Sequence, residues 1–166
     1  MAETMYEITP ELVDVARRHL NHIRWRREID RAHREGEAVD VTADRLGTTV
    51  GTIASEIRKL ERRPNALMRT PMEFVYEYAV GERTRDDLIS TLSSWPYTYG
   101  RLGITPGAEP QSSAAWDRGT WDDVKSARAS HIIDDDAFAQ IARAADLPAA
   151  VFPQWVHGPT RKDPAA

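Results

Sequence analysis

The chain has 166 residues, 41% of them apolar, with a formal net charge of −4 and no cysteine. This apolar content can bury a core, which excludes global disorder, and the length suits one medium domain or two small ones. The absence of cysteine excludes disulfides and thiolate metal sites. No apolar run approaches the roughly 18 residues of a membrane helix, and no signal peptide is visible. We therefore expect a cytoplasmic protein without a membrane partner.

Charge is distributed unevenly along the chain. Through Arg69 there are 13 Lys or Arg against 12 Asp or Glu, and from Thr70 onward there are 9 against 14. This asymmetry is compatible with an N-terminal part that faces DNA and an acidic part that faces a partner, and equally with an ordinary solvated surface. Arginine and alanine are abundant and lysine is scarce, a bias typical of GC-rich bacterial or phage genomes.

The first predicted helix opens at Thr9-Pro10-Glu11, with threonine as the cap and proline at the first helical position. Apolar residues recur along it at three- and four-residue spacing, and Gly36 is expected to end it. Its other face either tracks phosphates or forms a solvated surface together with neighbouring carboxylates. The arginines of that face are Arg17, Arg18, Arg24, Arg26, Arg27, Arg31 and Arg34.

The segment 39–60 carries the most specific signal in the chain. It predicts a short helix over 42–46, a turn at Gly47 and a second helix over 50–63, which Pro64 stops. A helix-turn-helix needs a small residue where its first helix packs on its second, a glycine in the turn, and an aliphatic residue inside the second helix. Ala43, Gly47 and Ile53 stand at that spacing.

The run Gly47-Thr-Thr-Val-Gly-Thr-Ile-Ala-Ser-Glu-Ile-Arg-Lys59 resembles the helix-turn-helix of IS30-type transposases and, more loosely, region four of sigma factors. The resemblance covers about 20 residues. It implies a three-helix DNA-binding unit and not transposase activity, since no acidic triad with a catalytic context follows.

On this template, the second helix enters the major groove with its N-terminal turn. The residues expected to face the bases are Thr49, Val50, Gly51, Thr52 and Ser55, with Thr48 or Thr49 as the helix cap. The residues expected to reach phosphates are Arg45, Arg58, Lys59, Arg62 and Arg63. The residues expected to face the bases include no Arg, Asn or Gln, the side chains that make bidentate contacts to bases. A three-helix bundle that binds protein is therefore the alternative.

Helix signals continue in the second half. Thr70-Pro71-Met72-Glu73 has the form of a capping box and predicts a helix that ends at Gly81. Thr84 predicts the next helix start, with acidic residues in its first turn. Residues 100–119 hold glycine, proline and serine with little periodicity and predict a loop.

Two more helices are expected before the end of the chain. Thr120 is predicted to cap a helix from Trp121 to about Ser130, and Asp134 to open the next one. The tail after Leu147 is rich in proline and small residues.

A faint internal repeat relates residues 78–89 to residues 127–138. Both segments predict a helix end, a tight turn, an acidic helix start and apolar residues. The first resembles small helical-hairpin motifs appended to many bacterial proteins as assembly modules, although Arg83 replaces the usual aliphatic residue. Two independent αα-hairpins that obey the same capping rules are the alternative.

Aromatic residues crowd the second half, where they either fill a core or anchor a partner. Those nominated as partner contacts are Trp95, Tyr97, Tyr99, Trp116, Trp121, Phe152 and Trp155. No nucleophile–base arrangement, phosphate-binding glycine loop or nucleotide fingerprint is present. We therefore expect no enzyme, no cofactor and no metal.

The sequence predicts an all-α protein with a helix-turn-helix unit over 9–64, a helical-hairpin module over 70–147 and a tail over 148–166. The leading hypothesis is a transcriptional regulator of bacterial or phage origin that binds double-stranded DNA. The layout is similar to that of antitoxins, which repress their own promoter and bind a protein through a second region. A homodimer would suit a two-fold operator, although no heptad seam predicts one. The competing hypothesis is a helical adaptor or phage assembly protein that does not bind DNA.

Overall fold

A computed structural model describes residues 8–99, 101–103, 115–117 and 119–145. Within them lie seven α-helices: α1 (Pro10–Arg34), α2 (Val39–Arg45), α3 (Val50–Arg62), α4 (Pro71–Ala79), α5 (Arg85–Ser93), α6 (Trp121–Ala129) and α7 (Asp135–Ala144). A 3-10 turn over Pro64–Leu67 follows α3. The predicted all-α class is confirmed. None of the described helices combines the length and apolarity needed to cross a bilayer.

Side-chain caps fix most of the helix starts. The hydroxyls of Thr9, Thr49, Thr70 and Thr84 each accept a hydrogen bond from the backbone N–H three residues later, at 3.2–3.4 Å. The carboxylate of Asp134 does the same for α7 at 2.6 Å. These bonds satisfy N–H groups that have no partner inside the helix. Because each bond joins residues only three positions apart, the helix starts could be predicted from the local sequence.

Two predicted starts need correction. Helix α2 begins at Val39, earlier than expected, because its N-cap is Ala38, which carries no capping side chain. Thr120 makes no side-chain cap for α6. Its hydroxyl instead accepts a hydrogen bond from the backbone N–H of Thr98 at 2.8 Å, and the carboxylate of Asp122 accepts one from Gly119 at 2.8 Å.

The segment predicted as a loop over 100–119 contains two short strands, β1 (Arg101–Gly103) and β2 (Ala115–Asp117). They pair antiparallel, with Leu102 opposite Trp116. Three residues are too few to show the period-two pattern by which a strand is recognised in sequence, so the pair escaped prediction. The described strands form only this one ladder, which leaves the fold class unchanged.

The apolar side chains form two clusters that share helix α1. The larger cluster joins α4–α7 and receives Ala16 from the N-terminal half of α1. The smaller one consists of Ile29 of α1, Ala43 of α2 and Ile53 of α3, with partly buried residues around them. Helices α2 and α3 therefore pack on the C-terminal part of α1, and helices α4–α7 pack mainly on its N-terminal part.

The second half contains two helical hairpins of the same design. Helices α4 and α6 begin 50 residues apart, as do α5 and α7. Each hairpin turns through a residue with positive φ, Gly81 at 82° and His131 at 56°. Helix α4 packs on α6 and α5 on α7, so equivalent helices face each other. The structural register is one residue away from the 78–89 to 127–138 alignment, because it is set by the turn residues and the N-caps.

Candidate nucleic-acid interface

Ala43, Gly47 and Ile53, on whose spacing the helix-turn-helix prediction rests, lie in or beside the smaller apolar cluster. Ala43 of α2 is buried against α3, and Ile53 is buried on the inner face of α3. Gly47 has φ +63° in the turn between these helices, a conformation that strains residues with a Cβ. Ile29 of α1 closes the small core from the other side. Helices α1–α3 thus form the three-helix arrangement on which such a motif depends.

The first turn of α3 is open to solvent. Thr49 is the N-cap, which decides between the two threonines considered as caps. Thr49, Gly51 and Thr52 are exposed, and Val50 has a relative exposure of 51%. Ser55 and Thr48, by contrast, are half-buried. No described part of the second half covers this end of the helix.

Some of the residues expected to contact phosphates form ion pairs within the protein, and others do not. Arg45 donates to Glu28 at 2.5 Å and to Glu37 at 2.8 Å, so its guanidinium is held by the protein itself. Lys59 lies 3.3 Å from Glu56. Among the described residues, no ion pair within 4.0 Å involves the exposed arginines of α3 and its C-cap, which are Arg58, Arg62 and Arg63.

Carboxylates hold most arginines of α1. The described pairs within 4.0 Å join Arg17 to Asp14, Arg24 to Glu82, Arg26 to Glu56, Arg27 to Glu73, Arg31 to Glu28 and Glu35, and Arg34 to Asp30. These pairs favour the interpretation of this face as a solvated surface of ion pairs over the interpretation as a phosphate-binding face. The unpaired positive charge lies mainly on α3 rather than on α1.

A buried ion pair that sequence reasoning missed anchors α3. Glu56 is 6% exposed and accepts a hydrogen bond from Nε of Arg26 at 2.5 Å. Burial alone would raise the pKa of Glu56, but the hydrogen bonds from Arg26 and Lys59 outweigh it and lower the pKa. A signal did exist, because Glu56 lies between Ile53 and Leu60 on the apolar stripe of the helix.

Of the nominated partner contacts whose side chains the structure describes, Trp121 is a core residue and three others are half-buried against the core. Trp121 is 1% exposed and packs against Tyr97, edge to face, at a centroid distance of 5.0 Å. The Tyr97 hydroxyl donates to the Leu92 carbonyl at 2.7 Å, and burial raises the pKa of Tyr97. Trp95 and Tyr99 are half-buried against the same cluster, and Trp95 meets the ring of Phe74.

The burial of Trp121 corrects its nomination as a partner contact, and its ring fills close-packed space in the larger cluster. Trp95, Tyr97 and Tyr99, which follow helix α5, each keep part of their surface exposed, so their nomination stays a prediction. The side chains of Trp116, Phe152 and Trp155 lie outside the described residues.

An open groove lies beside the α6–α7 turn instead. Its volume is about 600 Å³, and the residues that line it include Lys125, Arg128, Asp134, Asp135 and Phe138. Within the described residues, no group of three or more potential metal ligands comes together.

Neither protein-family models, nor curated proteins, nor solved structures give a match to the chain.

Proposed function

We propose that the protein is a DNA-binding transcriptional regulator that inserts the first turn of α3 into the major groove. One observation carries the proposal. The leading turn of α3 is exposed, and Arg58 and Arg62, which form no ion pair among the described residues, lie further along the same helix. Phosphates of a duplex are bound by free N–H groups at a helix N-terminus and by arginine side chains.

Salt dependence tests this proposal. Each phosphate contact adds about one unit to the slope of log K against log salt concentration. We expect the protein to bind random duplex DNA with a steep negative slope. The double variant Arg58→Gln/Arg62→Gln should weaken binding about equally on all sequences and make the slope shallower by about two units.

A matched control uses arginines at the far end of α1. The variant Arg17→Gln/Arg18→Gln makes the same change in net charge on an exposed helix surface outside the proposed interface. It should leave the salt slope nearly unchanged. Equal effects of the two double variants would indicate a general charge effect, and no salt-dependent binding at all would contradict the proposal.

The proposal extends to a protein partner, as in antitoxin-like autorepressors. The α6–α7 groove supports this part, because it is open and both charged and apolar residues line it. A partner encoded beside this protein should bind the chain in solution and change its affinity for DNA. Substituting Lys125 by Glu should weaken that complex and leave binding to free DNA intact.

The alternative is a helical adaptor that never touches DNA. One observation favours it: residues 49–55 contain no side chain capable of a bidentate contact to a base. The salt experiment separates the two functions, because an adaptor should show no salt-dependent affinity for a duplex.

A further inference from the structure

Gly51 stands in the first turn of α3 without a structural reason for being glycine. Its φ is not positive, unlike that of Gly47. A Cβ built on Gly51 would meet only the hydroxyl oxygen of Thr49, at 3.9 Å, which is an ordinary contact. Glycine in the middle of a helix costs about 0.5–1 kcal/mol relative to alanine. Among the described residues, neither the backbone conformation nor the packing requires glycine in this first turn, whereas the close approach of an outside surface would.

The groups beside Gly51 are mostly methyls. Val50 is half-exposed and apolar. The hydroxyls of Thr49 and Thr52 lie 2.9 Å apart and bond to each other, and Thr49 also accepts the backbone N–H of Thr52. These bonds orient both hydroxyls within the turn, and the side chain of Val50 and the threonine methyl groups supply the apolar part of its exposed surface.

We infer that α3 recognises thymine through its 5-methyl group, with Val50 as the contacting residue and Gly51 allowing the base edges to come close. The inference rests on the proposed DNA-binding function. Thymine is the base that offers a methyl group in the major groove, and apolar side chains are its natural partners there. The unpaired arginines of α3 supply the charge complementarity that favours a duplex over an apolar protein surface as the occupant.

The experiment uses the purified full chain and duplexes that it selects from a random pool. Each thymine of a selected duplex is replaced in turn by deoxyuridine, which removes only the 5-methyl group. We expect at least one replacement to weaken binding about fourfold, the value for one buried methyl-sized group. In Val50→Ala, the same replacement should have almost no further effect, because the contact is already lost.

Val41→Ala is the matched control, since Val41 is also 51% exposed but lies on α2. It should retain the full loss on removal of the thymine methyl group. Equal affinity of the unaltered protein for thymine and deoxyuridine duplexes would overturn this inference and leave the regulator proposal standing. A methyl effect that persists in Val50→Ala would also overturn it. Absence of any binding to duplex DNA would contradict both proposals.

Discussion

Arg27 of α1 holds Glu73 of α4 by two parallel hydrogen bonds, Nη1 to Oε1 at 2.6 Å and Nη2 to Oε2 at 2.7 Å. The same guanidinium also donates to the carbonyl of Leu67 at 3.0 Å. The preceding residue, Arg26, donates to Glu56 of α3. Two consecutive arginines of α1 thus bind carboxylates of two different helices, and the long helix ties α3 to α4.

We expect Glu73→Gln to lower the free energy of unfolding by about 2 kcal/mol at neutral pH, because it leaves Arg27 and Arg69 without a largely buried carboxylate. Burial would raise the pKa of Glu73, but Arg27 and Arg69 outweigh it and hold the pKa below 4.5. A lowered folded pKa gives stability that is present above the unfolded value and is lost as pH falls through the folded value. The difference between the two proteins should therefore shrink on acidification. Urea titrations at several pH values measure it.

Glu82→Gln is the control for that experiment. It breaks the pair with Arg24, in which both side chains are nearly half exposed. Exposed pairs contribute less than about 1 kcal/mol, so this variant should lose much less stability. Equal losses in the two variants would show that burial of Glu73 is not what makes its ion pair important.

Trp121→Ala tests the assignment of this aromatic residue to the core. Removing a fully buried tryptophan leaves a cavity between the hairpins and should cost about 3–5 kcal/mol of unfolding free energy. Trp95→Ala, at a half-buried position, should cost less. Calorimetry and urea unfolding of both variants give the comparison. A stable Trp121→Ala protein would return this residue to the set of partner contacts.

Prediction from sequence succeeded where the determining interaction is local. The caps Thr9, Thr70 and Thr84 bond to residues three positions away, so the sequence window contains both partners. Thr70 also shows the limit of such prediction. Its neighbour Glu73 was expected to complete a capping box, but its carboxylate bonds to Arg27, which lies 46 residues away.

Long-range pairing explains the other failures at the candidate site. Arg45 looked like a phosphate contact because its partner Glu28 lies 17 residues back, on another helix. Tyr97 and Trp121 were nominated as partner contacts because each stands outside or at the edge of a regular helix. Only the packing of α4–α7 shows that they meet in the core.

We expect Gly47→Ala to destabilise the protein by about 1–2 kcal/mol, because the φ of +63° forces a Cβ into an unfavourable conformation. A Cβ at this position would have no atom within 4 Å, so the cost should be conformational alone. Asparagine tolerates the left-handed conformation better than alanine. Gly47→Asn should therefore lose less stability than Gly47→Ala in thermal unfolding. Equal losses in the two variants would contradict a cost set by the left-handed conformation.

Gly51→Ala should have opposite effects on stability and on DNA binding. Alanine lowers the conformational entropy of the unfolded chain and suits a helix better, so the free energy of unfolding should rise by about 0.4–1 kcal/mol. The added methyl group would stand on the exposed surface beside Val50, where the proposed duplex must come close, so affinity for a selected duplex should fall. Thermal unfolding and fluorescence anisotropy measure the two effects on one sample. A variant that becomes more stable and binds DNA equally well would show that no ligand approaches Gly51. Loss of both properties together would instead mean that glycine serves the fold of α3.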